Sequence, residues 1–384
     1  MHRSLLYCAM ILIFCGLLPT PSSATLFGSD GLDPTWCEKP NPRQTVVYID
    51  DMMMAEGRTD WASKLATKLR ATLAPGERVT VVRLSPRSGQ SREMWAGCWP
   101  GLTEADRAAA KRGSITDFFS RDAASRLEEQ RNFFIRDFGS AMTQIYIDAK
   151  RPASAVRIDP ANAPEKHIIR ALASDEARFS QSKITIRAVV YSDMAENSDL
   201  GSVFKPLAEQ NVNYGKKLGT YLRRSVFYGF GLGETVNAAA VADDERKFWS
   251  AALASMNASI GGLGADLNVP NVVPVHGYAF AVNLAREGQE FDGRLDILVD
   301  AEGTLTDSWI GISRLTIAEV SGTFLCQGGA EDGTCHLEGT TNSGIATLTP
   351  SEAIALTGNQ ESGMNGHLGV KGAMFPLTAK TARN

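Results

Sequence analysis

Histidine is scarce in this chain. His2, His167, His276, His336 and His367 are the five among 384 residues, and none sits at metal-ligand spacing from another. No Ser–His–Asp set can be assembled around them, which argues against triad hydrolases. The short C-x2-4-C spacing of a zinc site is also missing. Basic charge is not in excess: 39 Lys and Arg face 43 Asp and Glu, for a net charge of −4. That balance argues against a general electrostatic grip on nucleic acid. Long apolar runs are absent beyond Leu18. The one run present, Leu5 to Leu18, falls short of the about 20 residues that span a bilayer. No transmembrane segment is therefore expected in the mature chain.

That run belongs to an export signal. Arg3 supplies the positive charge, Pro19 and Pro21 break the apolar stretch, and Ser22-Ser23-Ala24 offers small residues for cleavage. Residues 1–24 read as a signal peptide, which places the mature protein in a periplasm or outside the cell. Four cysteines then remain: Cys37, Cys98, Cys326 and Cys335. An even count in an oxidising compartment favours disulfides. Cys326 and Cys335 flank Gly-Gly-Ala-Glu-Asp-Gly and should close a hairpin; by elimination Cys37 pairs with Cys98. A thiol nucleophile is disfavoured, because Cys335 and its neighbour His336 point to opposite faces of a strand.

After an irregular leader at 25–43, strands alternate with helices. Residues 45–49, 79–84, 184–191 and 225–230 are continuous β-branched and aromatic runs, the mark of strands buried on both faces. Trp61, Leu65, Leu69 and Leu73 recur at four-residue spacing, one face of a helix. Residues 86–102 read as a loop, 116–147 as a long helix, 165–172 as a short one, and a last helix runs through Phe248 and Trp249 to Ile260. This order predicts a doubly wound, mostly parallel α/β sheet over 44–262. Residues 263–276 read as a linker. From 277 to 384 short alternating runs and glycine-rich turns predict a smaller, mostly antiparallel β domain, a barrel or a sandwich. Within it 345–348 reads as a strand, and 350–356 offers the one helical pattern.

Two strand ends carry a resemblance. Val46-Val47-Tyr48-Ile49-Asp50-Asp51 and Val189-Val190-Tyr191-Ser192-Asp193-Met194 both end in acidic residues. With the helix order, Cys98-Trp99-Pro100 and Phe248-Trp249, residues 42–262 resemble a von Willebrand factor A-like domain in divergent bacterial form. The resemblance implies a metal-ion-dependent adhesion site at the C-terminal edge of the sheet, built on Asp-x-Ser-x-Ser, with a threonine and an aspartate from other loops. The matching stretch is Asp50-Asp51-Met52-Met53-Met54. Asp50 is kept, but methionine stands at both hydroxyl positions, and thioether sulfur is too soft for Mg2+. Asp193 matches the late aspartate, and Asn162 is the nearest candidate for the threonine.

The site therefore reads as eroded, with Asp50, Asp51, Ser192 and Asp193 as candidate ligand or metal residues. No cofactor is expected; Mg2+ or Ca2+ is the alternative. Capping of strand ends and helix N-termini is the competing role for the aspartates. Met52, Met53 and Met54 read as core. Ser202-Val203-Phe204-Lys205 fits a Ser-x-x-Lys pattern without its companion motifs, Gly229 to Gly233 reads as a strand-to-helix turn, and Asp300 to Gly303 as a hairpin turn. The expectation is a non-enzymatic binding or scaffold protein with a protein partner in a Gram-negative cell envelope. The competing readings are an exported metal-dependent hydrolase using the same acidic edge and a structural subunit of an envelope assembly.

Overall fold

The computed structural model describes residues 31–54, 60–103, 106, 121–149, 163–232, 238–312, 316–327, 333–342 and 351–382. The expected signal peptide, Asn162, Gly233 and the run at 345–348 lie outside them. Six strands form the first sheet: β1 (Arg43–Asp50), β2 (Arg78–Ser85), β3 (Gln90–Cys98), β4 (Thr185–Tyr191), β5 (Ser225–Phe230) and β6 (Ser259–Gly264). Their order is β3-β2-β1-β4-β5-β6. All neighbours are parallel except β2 and β3, which are antiparallel. Every residue of β4 and β5 is buried, as their unbroken apolar runs require.

Helices cover both faces. On one, Trp61, Leu65 and Leu69 of α1 (Asp60–Thr72) join Phe134, Phe138 and Ile145 of α2 (Arg121–Ala149) against Val47, Ile49, Val81 and Tyr191. Met53 and Met54 are buried in the same core. On the other, α3 (Ile168–Ala173), α4 (Glu176–Gln181) and α6 (Ala238–Ser255) bring Ile169, Leu172, Phe179, Trp249 and Leu253 onto Val46, Tyr48 and Phe227. Each such fully buried side chain contributes about 1.5–3 kcal/mol of apolar burial. A short helix between them, α5 (Tyr214–Leu218), starts at Asn213, whose side chain accepts from the Lys216 N–H.

The second unit of structure is a closed, antiparallel eight-stranded barrel, which decides between the two architectures expected. It comprises β7 (His276–Arg286), β8 (Gln289–Val299), β9 (Ser308–Ile312), β10 (Thr316–Gln327), β11 (Thr334–Asn342), β12 (Glu352–Asn359), β13 (Gly363–Val370) and β14 (Ala373–Thr381). Alternate residues such as Phe280, Leu295, Leu337, Leu356 and Leu368 fill its interior. The fold class is thus the one predicted: a doubly wound, mostly parallel α/β sheet followed by a smaller antiparallel β domain.

Several local expectations need correction. Residues 90–98 are not loop but β3, an edge strand whose polar Gln90, Ser91, Arg92 and Glu93 gave no apolar run. The helix expected to reach Ile260 stops at Ser255. The chain then enters β6, which carries the first sheet to Gly264, past the boundary expected at 262 and into the stretch read as linker. Glycine is required there, since a Cβ on Gly261 would lie 2.4 Å from the Tyr228 ring. Residues 352–359 are strand β12, not helix: Ile354 and Leu356 alternate inward. The short helix begins at Ile168, so Glu165, Lys166 and His167 are not helical.

Both expected disulfides are formed. Cys37–Cys98 ties a 3-10 turn, Pro34–Glu38, to the end of β3, and Cys326–Cys335 joins facing residues of β10 and β11. The barrel meets the sheet through a buried ionic network at the N-terminal ends of the strands. Arg43 grips Glu77 with Nε and one terminal nitrogen, at 2.9 and 2.7 Å, and its other terminal nitrogen bonds Asp307 of the barrel. Arg187 bonds Thr45, Thr72 and Glu77. Tyr228 donates to Asp307 at 2.8 Å and to Glu319 at 3.3 Å. Trp309 of β9 adds an apolar anchor in the core below.

Candidate functional site

In neighbouring parallel strands, equivalent ends share one edge, and ligands bind open sheets beyond the C-terminal ends. Because β1 pairs directly with β4, Asp50 at the end of β1 meets Ser192 and Asp193 just beyond β4. Ser192 Oγ donates to Asp50 Oδ2 at 2.7 Å and accepts the Met194 N–H at 3.0 Å. Asp50 Oδ1 accepts the Met52 N–H at 2.8 Å, and Asp193 Oδ1 accepts the Ala195 N–H at 3.0 Å. Capping of free N–H groups is therefore part of what both aspartates do.

Between the two carboxylates lies a cation from the protein itself. Lys166 Nζ is 2.6 Å from Asp50 Oδ2 and also bonds Asp193 Oδ1. All three side chains are buried. Burial disfavours the ammonium, but the carboxylates outweigh it and hold the Lys166 pKa well above the usual lysine value. Asp50 is raised by burial first, then by repulsion from Asp193, against the pull of Lys166. The lysine is positioned by backbone: its N–H and C=O both pair with Asn197 at 2.9 Å, in the loop after Asp193. That loop is fixed in turn by Trp249 Nε1, which donates to the Met194 carbonyl at 2.7 Å. Met194 adopts φ 57°, the left-handed region that non-glycine residues seldom enter.

Two further carboxylates surround the group. Glu196 accepts the Ile169 N–H and the Ser198 hydroxyl; burial raises it to about 7 despite these bonds. Glu245, on α6, is buried and raised to about 7 by burial and then by Asp193. Its Oε1 has no hydrogen-bond partner among the described residues. Asp51 stands apart from this group. Its Oδ2 accepts from Arg83 at 2.8 and 2.9 Å and from Ser85 at 2.7 Å, a separate and partly exposed ion pair.

The residues do not fit the Mg2+ or Ca2+ that the resemblance implies. Such ions need six or more hard oxygens. Here Met52 and Met54 stand at the hydroxyl positions, and the Lys166 ammonium fills the space between Asp50 and Asp193. Among the described residues no group of three or more His, Cys, Asp or Glu is arranged to hold a metal. Ser202 Oγ accepts the Phe204 N–H, and Lys205 is exposed, so the Ser-x-x-Lys pattern shows no activated pair. Asp300 Oδ1 accepts the N–H groups of Glu302 and Thr304, a turn.

Sequence reasoning brought Asp50, Ser192 and Asp193 to one edge but missed Lys166, Glu196 and Glu245. Glu196 lies inside the Ser192–Ser198 segment and could have been found there. Lys166 was hidden by the helix read over 165–172.

No protein-family model and no curated protein matches the chain. One solved structure, titled "Crystal structure of the ArnB paralog VWA2 from Sulfolobus acidocaldarius", is similar at 10% identity and a TM-score of 0.31, covering 83% of this chain. This chain spans 65% of that one. A likeness at this level carries no functional argument. No helix among the described residues is long and apolar enough to cross a membrane.

Proposed function

We propose that this is an exported binding or scaffold protein of a cell envelope, whose von Willebrand A-like domain engages a protein partner without a divalent ion. The observation that carries the reading is the Lys166 ammonium buried between Asp50 and Asp193. It supplies the positive charge that two adjacent carboxylates require. The hydrolase alternative would need a metal-activated water at that place, where the lysine stands. The two disulfides and the signal-like N-terminus support export. The ionic contact between barrel and sheet supports a rigid two-part body rather than a hinged one.

The test is cross-linking of the exported protein in its native envelope, with and without EDTA. The reading expects a defined protein partner captured equally in both. A partner lost in EDTA, or turnover of ester or phosphoester substrates by the purified protein, would refute it.

A further inference from the structure

We propose that the N-terminal edge of the parallel sheet carries a peripheral docking surface for anionic lipid headgroups, built on Lys183, Lys216, Lys217, Arg223 and Arg224, with Ile184 as its apolar contact. This edge lies at the opposite end of the strands from the acidic one, so a chain seated on it turns Asp50 and Asp193 away from the membrane. Neither those aspartates nor a protein partner takes part, so this surface and the function proposed above can fail independently.

Three observations carry it. First, the fold gathers these cations at one edge. Lys183 stands two residues before β4, and Arg223 and Arg224 directly precede β5. The two strands are parallel neighbours, so their starts lie together. Arg224 ties them, donating to the Ser182 carbonyl at 3.2 Å. Lys216 and Lys217 belong to α5, which a left-handed Gly219 and the Thr220 N–H, bonded to the Gly215 carbonyl, lead back to β5. Secondly, the charge is unmatched, in a chain whose net charge is −4. Exposed cations elsewhere on the α/β part are paired, as in Arg70–Glu128, Arg170–Asp199 and Arg246–Asp243. Among the described residues none of these five makes an ion pair. Asp296, the carboxylate that acts on Arg224, is already held by Arg294 at 2.9 Å. Lys217 and Arg223 lie over the rings of Tyr214 and Tyr221 at 5.3 and 5.4 Å, contacts that steady a cation without neutralising it. Thirdly, Ile184, next to Lys183, is 36% exposed, an apolar side chain that water does not reward and a headgroup boundary does. Lys183, Lys216, Lys217 and Arg223 are exposed, on long stems with no fixed acceptor for a partner to copy. A charged lipid surface asks for no fixed geometry, only for four or more basic residues within reach of it.

The experiment is co-sedimentation of the purified protein with vesicles of equal parts phosphatidylglycerol and phosphatidylcholine, with pure phosphatidylcholine vesicles as the neutral control. The wild type should bind the anionic vesicles only, and release them in about 1 M NaCl, where the screening length falls to about 3 Å. Lys183→Gln/Lys216→Gln/Lys217→Gln/Arg223→Gln should weaken binding by about 100-fold or more, since each basic residue near an anionic surface is worth about fivefold. Removing four exposed cations from elsewhere, Arg87→Gln/Arg92→Gln/Lys371→Gln/Lys380→Gln, should change it by no more than about twofold. Ile184→Ser should weaken vesicle binding several-fold. If the first variant fails to fold, Lys183→Gln/Arg223→Gln replaces it, with an expected loss of about tenfold or more. No binding of the wild type to anionic vesicles, equal binding to neutral ones, or equal losses in the two quadruple variants would overturn the proposal. So would a wild type that ignores vesicles but binds a poly-glutamate peptide through the same four residues, which would assign the surface to an acidic polypeptide instead.

Discussion

The parallel sheet buries charge at both ends, about 23 Å apart along β1, and the two ends are built differently. At the N-terminal end two arginines meet Glu77 and Asp307, and Arg43 uses its full fork on Glu77 and Asp307 together. Positive and negative groups there are matched in number, with Glu319 pushed up to about 8 by burial and then by Asp307. At the C-terminal end a single lysine faces Asp50 and Asp193, with Glu196 and Glu245 close by. Guanidinium fixes geometry and an ammonium supplies charge. The first end therefore joins the barrel to the sheet, and the second holds a carboxylate pair balanced by one internal ammonium. Position on the sheet agrees with this division, since the C-terminal edge is where open sheets place ligands.

The largest effect should come from breaking the joint. Asp307→Ala removes the barrel's partner of Arg43 and Tyr228 and leaves a buried guanidinium short of one carboxylate. A loss of about 3–5 kcal/mol is expected in denaturant unfolding, with the linker at 265–275 cut faster by protease. An unchanged midpoint would show that apolar contacts around Trp309 join the two parts. Next, Cys37→Ser/Cys98→Ser releases a cross-link spanning 61 residues beside the same joint. It should cost about 2–4 kcal/mol. A loss confined to local fraying of the 3-10 turn, seen by hydrogen exchange, would separate the disulfide from the joint.

A pH series sharpens the contrast. Glu196 and Glu245 are raised to about 7 and Glu319 to about 8, against 4.5 unfolded. Between these values the folded chain binds more protons than the unfolded one, so stability falls as pH rises. The Tm should decline from pH 5 to pH 9. Glu245→Gln keeps the shape without the charge and should flatten the part of the decline near pH 7, leaving the part near pH 8 that belongs to the joint. A Tm that rises over this range would contradict the account. The smallest effect is expected from Asp51→Asn, which weakens a partly exposed ion pair outside the buried group. A change of at most about 1 kcal/mol and no effect on partner capture should follow; a large loss of capture would move the site to Asp51.

How much of this the sequence disclosed follows from chemistry. β1, β2, β4 and β5 were legible because strands covered on both faces must be continuously apolar. β3 was not, because an edge strand with one open side can carry Arg92 and Glu93. β6 was hidden by glycines that read as a domain boundary, although they are there to admit the Tyr228 ring. The closing barrel was half legible: alternation gave β structure, while closure depends on the pairing of the last strand, β14, with the first, β7, which no local pattern encodes. At the acidic edge, Asp50 and Asp193 could be placed by strand ends. Lys166 could not, because its role is set by two carboxylates far away in sequence and by an extended pairing with Asn197 where helix formers suggested a helix.

The most direct test of the central claim is a calorimetric titration of the wild-type protein with Mg2+, Mn2+ and Ca2+ after exhaustive EDTA treatment. The account predicts no saturable binding and a Tm unchanged from the EDTA-treated protein, because Lys166 already supplies the charge. One tight divalent site, abolished by Asp50→Asn or Asp193→Asn, would contradict it.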